Sequence, residues 1–407
     1  MHRIPIRFMS VSLAASLTAC TETPPHSPSP ATAALTPACT AGTMAWIGGT
    51  AYADLQSALD ATKPDDTINV CPGRWTFAST LAHSAGHSFS LVGATTNPLD
   101  TVLVALHTDA MMSISQQRGV VAISNVSIES SVGVGVGGES FEMLGSSVVI
   151  DNVVTNSGLG LSLFLDCSIN NTIIVGSSVS MNCINHASNG CVFEESNMII
   201  NTGYQIAGDV SIDINNTQFY DFEDPGGGSV LAIHPDRRSH HLISIRDSQF
   251  FNNHSMAQWP DGPGGGATVA IRGSVLYEGV PPVDVVIEDS TFDNNSGRTA
   301  SHLWLSNLWG ESEFNARIAR TNFWRGAWPA ATGPVDYWLS RSTDIGSAVR
   351  ADGGDFGVNM TFEDVDFGLG ENENLGMPIA NCTTRYRGMF DADIRVHRDT
   401  SALVRCP

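Results

Sequence analysis

One phrase occurs twice in this chain, and it restricts the fold more than any other feature. Residues 243–255 read Ile-Ser-Ile-Arg-Asp-Ser-Gln-Phe-Phe-Asn-Asn-His-Ser, and residues 285–297 read Val-Val-Ile-Glu-Asp-Ser-Thr-Phe-Asp-Asn-Asn-Ser-Gly. Apolar and polar residues alternate, a short polar step follows, then an aromatic residue, then asparagine. The alternation is the period of a strand with one buried face. Repetition on this scale implies a solenoid, in which a long chain stacks repeats into one body.

Other stretches align on the same phrase. Val121, Ile123, Asn125 and Ile128 match it, as do Val148, Ile150 and Asn152, then Phe193, Glu195 and Met198. Ile212, Ile214, Asn216 and Phe219 follow, then Ile318, Arg320 and Phe323, and last Phe362, Asp364 and Phe367. The aromatic anchors Phe219, Phe250, Phe292, Phe323 and Phe367 are 31, 42, 31 and 44 residues apart, so the longer gaps carry loops. Gly262-Pro263-Gly264-Gly265-Gly266 marks one of them. Phe250 and Phe292 are expected to stack inside the coil. Asn252 and Asn253 are expected to lie over Asn294 and Asn295 with their amides bonded between coils. At ~4.8 Å per stacked strand, about ten coils make a rod on the order of 45–50 Å long.

Charged residues are only 15 % of the chain, Lys63 is the only lysine, and the net charge is −21. That balance argues against a nucleic-acid partner, which needs clustered Lys and Arg.

The first residues read as an export signal. Arg3 and Arg7 precede an apolar run from Phe8 to Leu17, too short for a bilayer span, which needs ~20 residues. Leu17-Thr18-Ala19-Cys20 resembles a bacterial lipobox. The resemblance implies a signal peptide over 1–19 and a lipidated Cys20 as the mature N-terminus. The other reading is an ordinary secretory signal with Cys20 near the cut. Thr21 is not the aspartate that holds such lipoproteins in the inner membrane, which favours the outer membrane. Residues 20–43, rich in Pro, Ser, Thr and Ala, read as an extended tether.

A helix is expected over 52–63, with Leu55, Ala58 and Leu59 on one face and Pro64 as its stop. Strands are expected at 67–70, 89–94 and 101–104. The run from Leu55 through Lys63-Pro64-Asp65-Asp66-Thr67-Ile68-Asn69-Val70-Cys71-Pro72-Gly73 resembles the N-terminal entry of pectate-lyase-like right-handed parallel β-helices. It departs at Asp65, where glycine is usual, and at Arg74-Trp75. The resemblance implies an all-β, single-stranded right-handed parallel β-helix over 44–381 with a short N-terminal capping helix. A segment over 382–407 is expected to cover the last coil. Gly264-Gly265-Gly266-Ala267 with Phe250-Phe251-Asn252-Asn253 also resembles the repeats of polymorphic outer-membrane autotransporter proteins. Those end in a membrane barrel. With 40 residues after Phe367, the reading expects no barrel and leaves anchoring to the lipid.

Eight cysteines in an exported chain point to disulfides. Cys39 with Cys71 would staple the N-terminal end and Cys382 with Cys406 the C-terminal end. Cys183 and Cys191 are close enough in sequence to close a loop, which leaves Cys167 as a core residue.

Three constellations could carry chemistry. His234-Pro235-Asp236-Arg237-Arg238-Ser239-His240-His241 is a polar loop whose His234 and Asp236 are candidate ligand contacts, weighed against a solvated loop. Asp213, Glu288 and Glu363 form an outward acidic stack, the kind of surface on which paired carboxylates hydrolyse glycosides. A solenoid strand also repeats polar residues simply to keep a wet face. The clustered Asp, Gly-His and Arg-x-Lys motifs of the pectinase-like hydrolases are absent, so no catalytic residue is assigned, and no cofactor or metal site either. Trp304, Trp309, Trp324 and Trp328 fall in one stretch. Trp304, between Leu303 and Leu305, is expected to face outward, and with Trp324, Arg325 and Asp336 it suits sugar rings. The alternative is that these indoles pack under loops.

The resulting expectation is an exported, lipid-anchored envelope protein at the outer membrane or cell surface. It would act as a non-catalytic binding or structural module for polysaccharide or a surface protein. A polysaccharide lyase or glycoside hydrolase is the runner-up, and a purely structural envelope protein is third.

Overall fold

The computed structural model describes residues 39–405 apart from 85, 108–109, 115–118, 130–133, 138–146, 157, 203–208, 225–228, 236–238, 256–266, 273–281, 298–299, 307–313, 328–346, 354–357, 369–376, 384–393 and 397–402. Strands dominate, and nearly all pair parallel with the strand one repeat away. The architecture is all-β with long parallel sheets, consistent with a solenoid.

Three faces can be followed. On the first, Asp66–Val70 pairs with Phe89–Gly93, then Val120–Ser124, Ser147–Asp151 and onward through Asp209–Asn215, His240–Arg246, Val283–Glu288, Phe314–Ala319 and Val358–Glu363. The second is a 10-stranded ladder from Gly73–Phe77 to Asn322–Trp324. The third runs from Leu81–His83 through Asn197–Asn201, Leu231–His234, Val269–Arg272 and Leu303–Ser306 to Ser347–Gly353. Leu159–Asn170 and Ser178–Asn189, 12 residues each, run unbroken through both the third and first faces and join them into one 24-stranded sheet. Ile394–Val396 and Leu403–Arg405 lengthen the parallel ladders, so part of the segment expected to cover the last coil continues the stack.

The repeated phrase acquires a precise geometry. The residue that follows the first-face strand adopts positive φ in coil after coil: Asn125, Asn152, Asn171, Asn216, Asp247, Asp289, Arg320 and Asp364, with φ between 46° and 56°. A second corner after the second-face strand does the same at Glu195, Asp221, Asn252, Asn294 and Arg325. Asn and Asp tolerate this left-handed conformation better than other non-glycine residues, which accounts for most of the polar step. Asp65, in the position where glycine was expected, does likewise with φ 66°. After the first corner, buried Thr217, Ser248, Ser290 and Thr321 return their hydroxyls to the carbonyls of Asn215, Arg246, Glu288 and Ala319 at 2.7–2.9 Å. Each corner thereby satisfies its own backbone.

The interior is a single column of aliphatic and aromatic side chains. Phe193, Phe219, Phe250, Phe292 and Phe323 stack nearly parallel at centroid distances of 4.5–4.9 Å, and Phe367 extends the column at 5.5 Å. Burial of one such ring is worth ~2–3 kcal/mol, with ~0.5–1.5 more from each ring pair. Beside it, Asn294 donates to Asn252 Oδ1 at 2.9 Å and Asn253 to Asn295 Oδ1 at 3.0 Å, the expected asparagine ladder.

The expected helix is present but shorter, Leu55–Asp60: Asp54 sets its start by accepting from the Ser57 N–H, and Ala61 closes its end. Its Leu55, Ala58 and Leu59 enter the core. Cys39 is bonded to Cys71, as expected. Cys183, however, is bonded to Cys167, which corrects the expected pairing with Cys191. Cys167 and Cys183 sit on adjacent strands with Cα atoms 6.0 Å apart, within disulfide reach. Cys191 lies beyond the Gly190 corner as a buried free thiol, its Sγ 3.2 Å from the Ile169 carbonyl. Cys382 lies in the strand Met377–Thr383, while Cys20 and Cys406 lie outside the described residues.

Candidate functional site

Strand register determines what each face presents. On the first face, outward positions form columns along the stack. Asp284 pairs in register with Asn315 and Asn315 with Asn359, and the side chains follow: Asn315 donates to Asp284 Oδ1 and Asn359 to Asn315 Oδ1, both at 3.0 Å. His240 meets the other Asp284 oxygen at 2.7 Å. The next columns carry the acidic stack. Arg317 bridges Glu288 and Glu363 from the coils on either side, reaching Glu363 Oε2 at 2.6 Å. Arg246 approaches Glu288 at 3.5 Å, and Arg320 binds Asp289 through two contacts of 2.7 Å. Between the columns lies an open hollow of about 480 Å³, floored by Val286 and Ala316 and edged by Asp284, Asn315, Arg317 and Thr361.

The electrostatics follow from this pairing. The hydrogen bonds from Arg320 hold the Asp289 carboxyl below its ordinary range. The hydrogen bonds that Arg317 donates to Glu363, then to Glu288, push its own pKa up. A glycosidase acid needs a raised pKa, which comes from desolvation or a like charge and is opposed by an adjacent guanidinium. Glu288 and Glu363 are placed to lock coils together. Asp213, half-buried with its Oδ1 out of solvent and unpartnered among the described residues, stands apart from these ion pairs, on the coil of Asp209–Asn215.

The second face carries a feature that the reading of the sequence missed. Glu194, Tyr220, Phe251, Asp293 and Trp324 are successive register partners on its outward side. Tyr220 and Phe251 stack at 5.0 Å, and the Tyr220 hydroxyl lies 3.1 Å from Glu194 Oε2. Burial, then the Glu194 charge, pushes the Tyr220 pKa up to about 12. Trp324 is half-buried and donates its indole N–H to Asp366 at 3.0 Å. Arg325, expected as a ligand contact, is exposed and engaged with Asp293. Beside the aromatic column runs a polar one of Gln218, Gln249, Thr291 and Asn322. The signal was available: an aromatic residue directly follows the inward phenylalanine at Phe219-Tyr220, Phe250-Phe251 and Phe323-Trp324.

The third face corrects the expectation for Trp304. The side chain is on the outward side of its strand, yet it is only 3 % exposed, packed with Ala267, Ala270 and Ala300 in a cluster separate from the main core. Ala270 on the preceding strand, with Ala267 and Ala300 from the segments before the two strands, makes room for the indole against the sheet. The tryptophans therefore do not form one exposed surface: Trp304 is covered, and Trp324 sits on the second face. Trp309, Trp328, Asp336 and Asp236 lie outside the described residues. His234 ends the strand Leu231–His234, partly buried. Burial, then the Arg272 charge, lowers its pKa. His240 and His241 diverge: His240 joins the first-face network, while His241 is fully buried with Nε2 2.9 Å from Thr202 Oγ1. The loop expected to gather histidines thus distributes them over the interior and two faces. Among the described residues no three His, Cys, Asp or Glu side chains converge as a metal cluster. No protein-family model, curated protein or solved structure matches this chain.

Proposed function

We propose that this chain is an exported, lipid-anchored envelope protein. Its body would be a right-handed, pectate-lyase-like parallel β-helix with Leu55–Asp60 as its N-terminal cap, serving as a non-catalytic binding or structural module. The observation that carries the non-catalytic reading is the pairing of Glu288 and Glu363 with Arg317, and of the corner residue Asp289 with Arg320, between neighbouring coils. The polysaccharide reading rests on the second face, where the edges of Tyr220, Phe251 and Trp324 run beside the amides of Gln218, Gln249 and Asn322. Aromatic edges and amides side by side suit a hydroxyl-rich chain with apolar ring faces. The lipobox at Cys20 supports the anchor. Among the described residues no helix is long and apolar enough to cross a membrane.

Incubation of the purified protein with a panel of polysaccharides tests the reading. We expect retention of at least one glycan and no new reducing ends or unsaturated sugars. Release of either product overturns the non-catalytic reading. Fractionation of a Cys20→Ser variant tests the anchor: the variant is expected to leave the membrane fraction, and its persistence there refutes lipidation.

A further inference from the structure

Arg272 differs from the other arginines whose side chains are described. Arg74, Arg246, Arg317, Arg320 and Arg325 each ion-pair with a carboxylate. Arg272 holds none among the described residues; its guanidinium instead lies over the Trp304 ring, 5.0 Å from the centroid. It is partly buried at the end of Val269–Arg272 on the third face. In a chain of net charge −21, a guanidinium taken partly out of water with no acid against it among the described residues is conspicuous.

Its register neighbours add polar groups of the right kind. Ser306, buried at 3 % exposure, is its partner on the following strand. On the preceding strand Ile233 pairs with Ile271, which brings His234 alongside. The first acidic residue further along this column is Asp352, two coils away, or ~10 Å at the usual strand spacing. In the adjacent column, Arg350 is the register partner of Trp304. Burial, then the charge of Arg272, keeps His234 below the ordinary histidine pKa, so at neutral pH it is uncharged and offers one ring N–H.

We propose that this part of the third face binds an oxyanion, carboxylate or sulfate, with the Arg272 guanidinium as the principal donor, Trp304 as its seat, and His234 and Ser306 as flanking hydrogen-bond donors. The planar fork of arginine matches two oxygens of such a group, and stacking on the indole holds the plane in place before the ligand arrives. The site is separate from the aromatic strip of the second face and does not depend on acylation of Cys20.

Calorimetric titration of the full chain at constant ionic strength, with sodium sulfate, glucuronate and glucose as probes, tests the proposal. Saturable binding of sulfate and glucuronate alike identifies the bare oxyanion as the ligand; binding of glucuronate alone identifies a sugar acid. Either outcome, with glucose inert, supports the site. Arg272→Gln is expected to weaken binding at least ~10-fold, the scale of a lost charged hydrogen-bond pair. Arg246→Gln, on the first face, is expected to leave it unchanged. If Arg272→Gln does not fold, Arg272→Lys keeps the charge and most of the stem but loses the fork, and it is expected to weaken binding several-fold. Absence of saturable binding to the wild type, or undiminished affinity in the Arg272 variant that folds, overturns the proposal.

Discussion

The side-chain amide of Asn253 donates to Asn295 Oδ1 at 3.0 Å, and the backbone N–H of Asn253 donates to the same oxygen at the same distance. Asn295 in turn donates to the Phe250 carbonyl at 2.8 Å, as Asn253 donates to the Phe219 carbonyl at 3.0 Å. Both residues are fully buried. One asparagine per coil therefore satisfies the main chain at the end of the phenylalanine strand and couples that coil to the next.

Asn295→Ala leaves the Asn253 N–H groups and the Phe250 carbonyl without their partner inside the protein. At ~1–3 kcal/mol for a buried group left unsatisfied, we expect a marked drop in the urea midpoint. Asn294→Gly, which removes the exposed ladder beside it while keeping the left-handed corner free of strain, should cost much less. Equal effects of the two would show that burial of the inner ladder is not what matters.

Gly93 ends a first-face strand where an added Cβ would collide with the Asn125 backbone carbonyl. Gly160 has open space around that position. Gly93→Ala should lower Tm sharply or abolish soluble expression, while Gly160→Ala should remain within a few degrees of wild type. Thermal denaturation of the two separates backbone collision from a general intolerance of strand substitution.

Acid should destabilise the fold through its buried histidines. Burial lowers the pKa of His186 to about 3 and that of His241 to about 4. The unfolded side chain titrates at ~6.5. Both groups are depressed, so as pH falls below ~6.5 the unfolded state takes up protons that the folded state refuses, and stability declines until the folded pKa is reached. Tm measured from pH 7 to pH 4.5 should fall, and His241→Gln should flatten part of that slope. A wild-type Tm that does not change over this range would refute the mechanism.

The cysteines make a chemical prediction. Peptide mapping of non-reduced protein should recover Cys39 with Cys71 and Cys167 with Cys183. Burial pushes the Cys191 thiol up to about 11, so it should resist alkylation until the chain is denatured. Rapid labelling of Cys191 in the native protein would contradict its place in the core.

The legible part of this chain was whatever repeats. Ile243, Ile245 and Phe250 announce their inward positions by alternation, and Asn252 and Asn294 announce a ladder between coils, though not the left-handed corners in which they sit. Partners across coils were harder to read because loop length hides which residues come to lie side by side. Cys183 was matched with Cys191 by sequence distance, whereas the stack sets it against Cys167. Trp304 failed differently. Alternation correctly placed it on the outer side of its strand, but alternation does not reveal what lies over that side. The covering alanines, Ala267 and Ala300, come from outside its strand. The outward aromatics Tyr220 and Phe251 escaped notice because the inward phenylalanine next to each accounted for the local aromatic signal.

The two uninterrupted strands, Leu159–Asn170 and Ser178–Asn189, have a mechanical consequence. Elsewhere a coil can be peeled from its neighbour one short strand at a time, a few hydrogen bonds at each step. Here one strand pair spans two faces, with a single register shift between Ser162 and Phe164, and is cross-linked by Cys167–Cys183, so traction must shear long rows of bonds and cannot fully separate strands that remain tied. Drawn from its ends, the chain should unravel coil by coil toward this splice and stall there until a reductant is added.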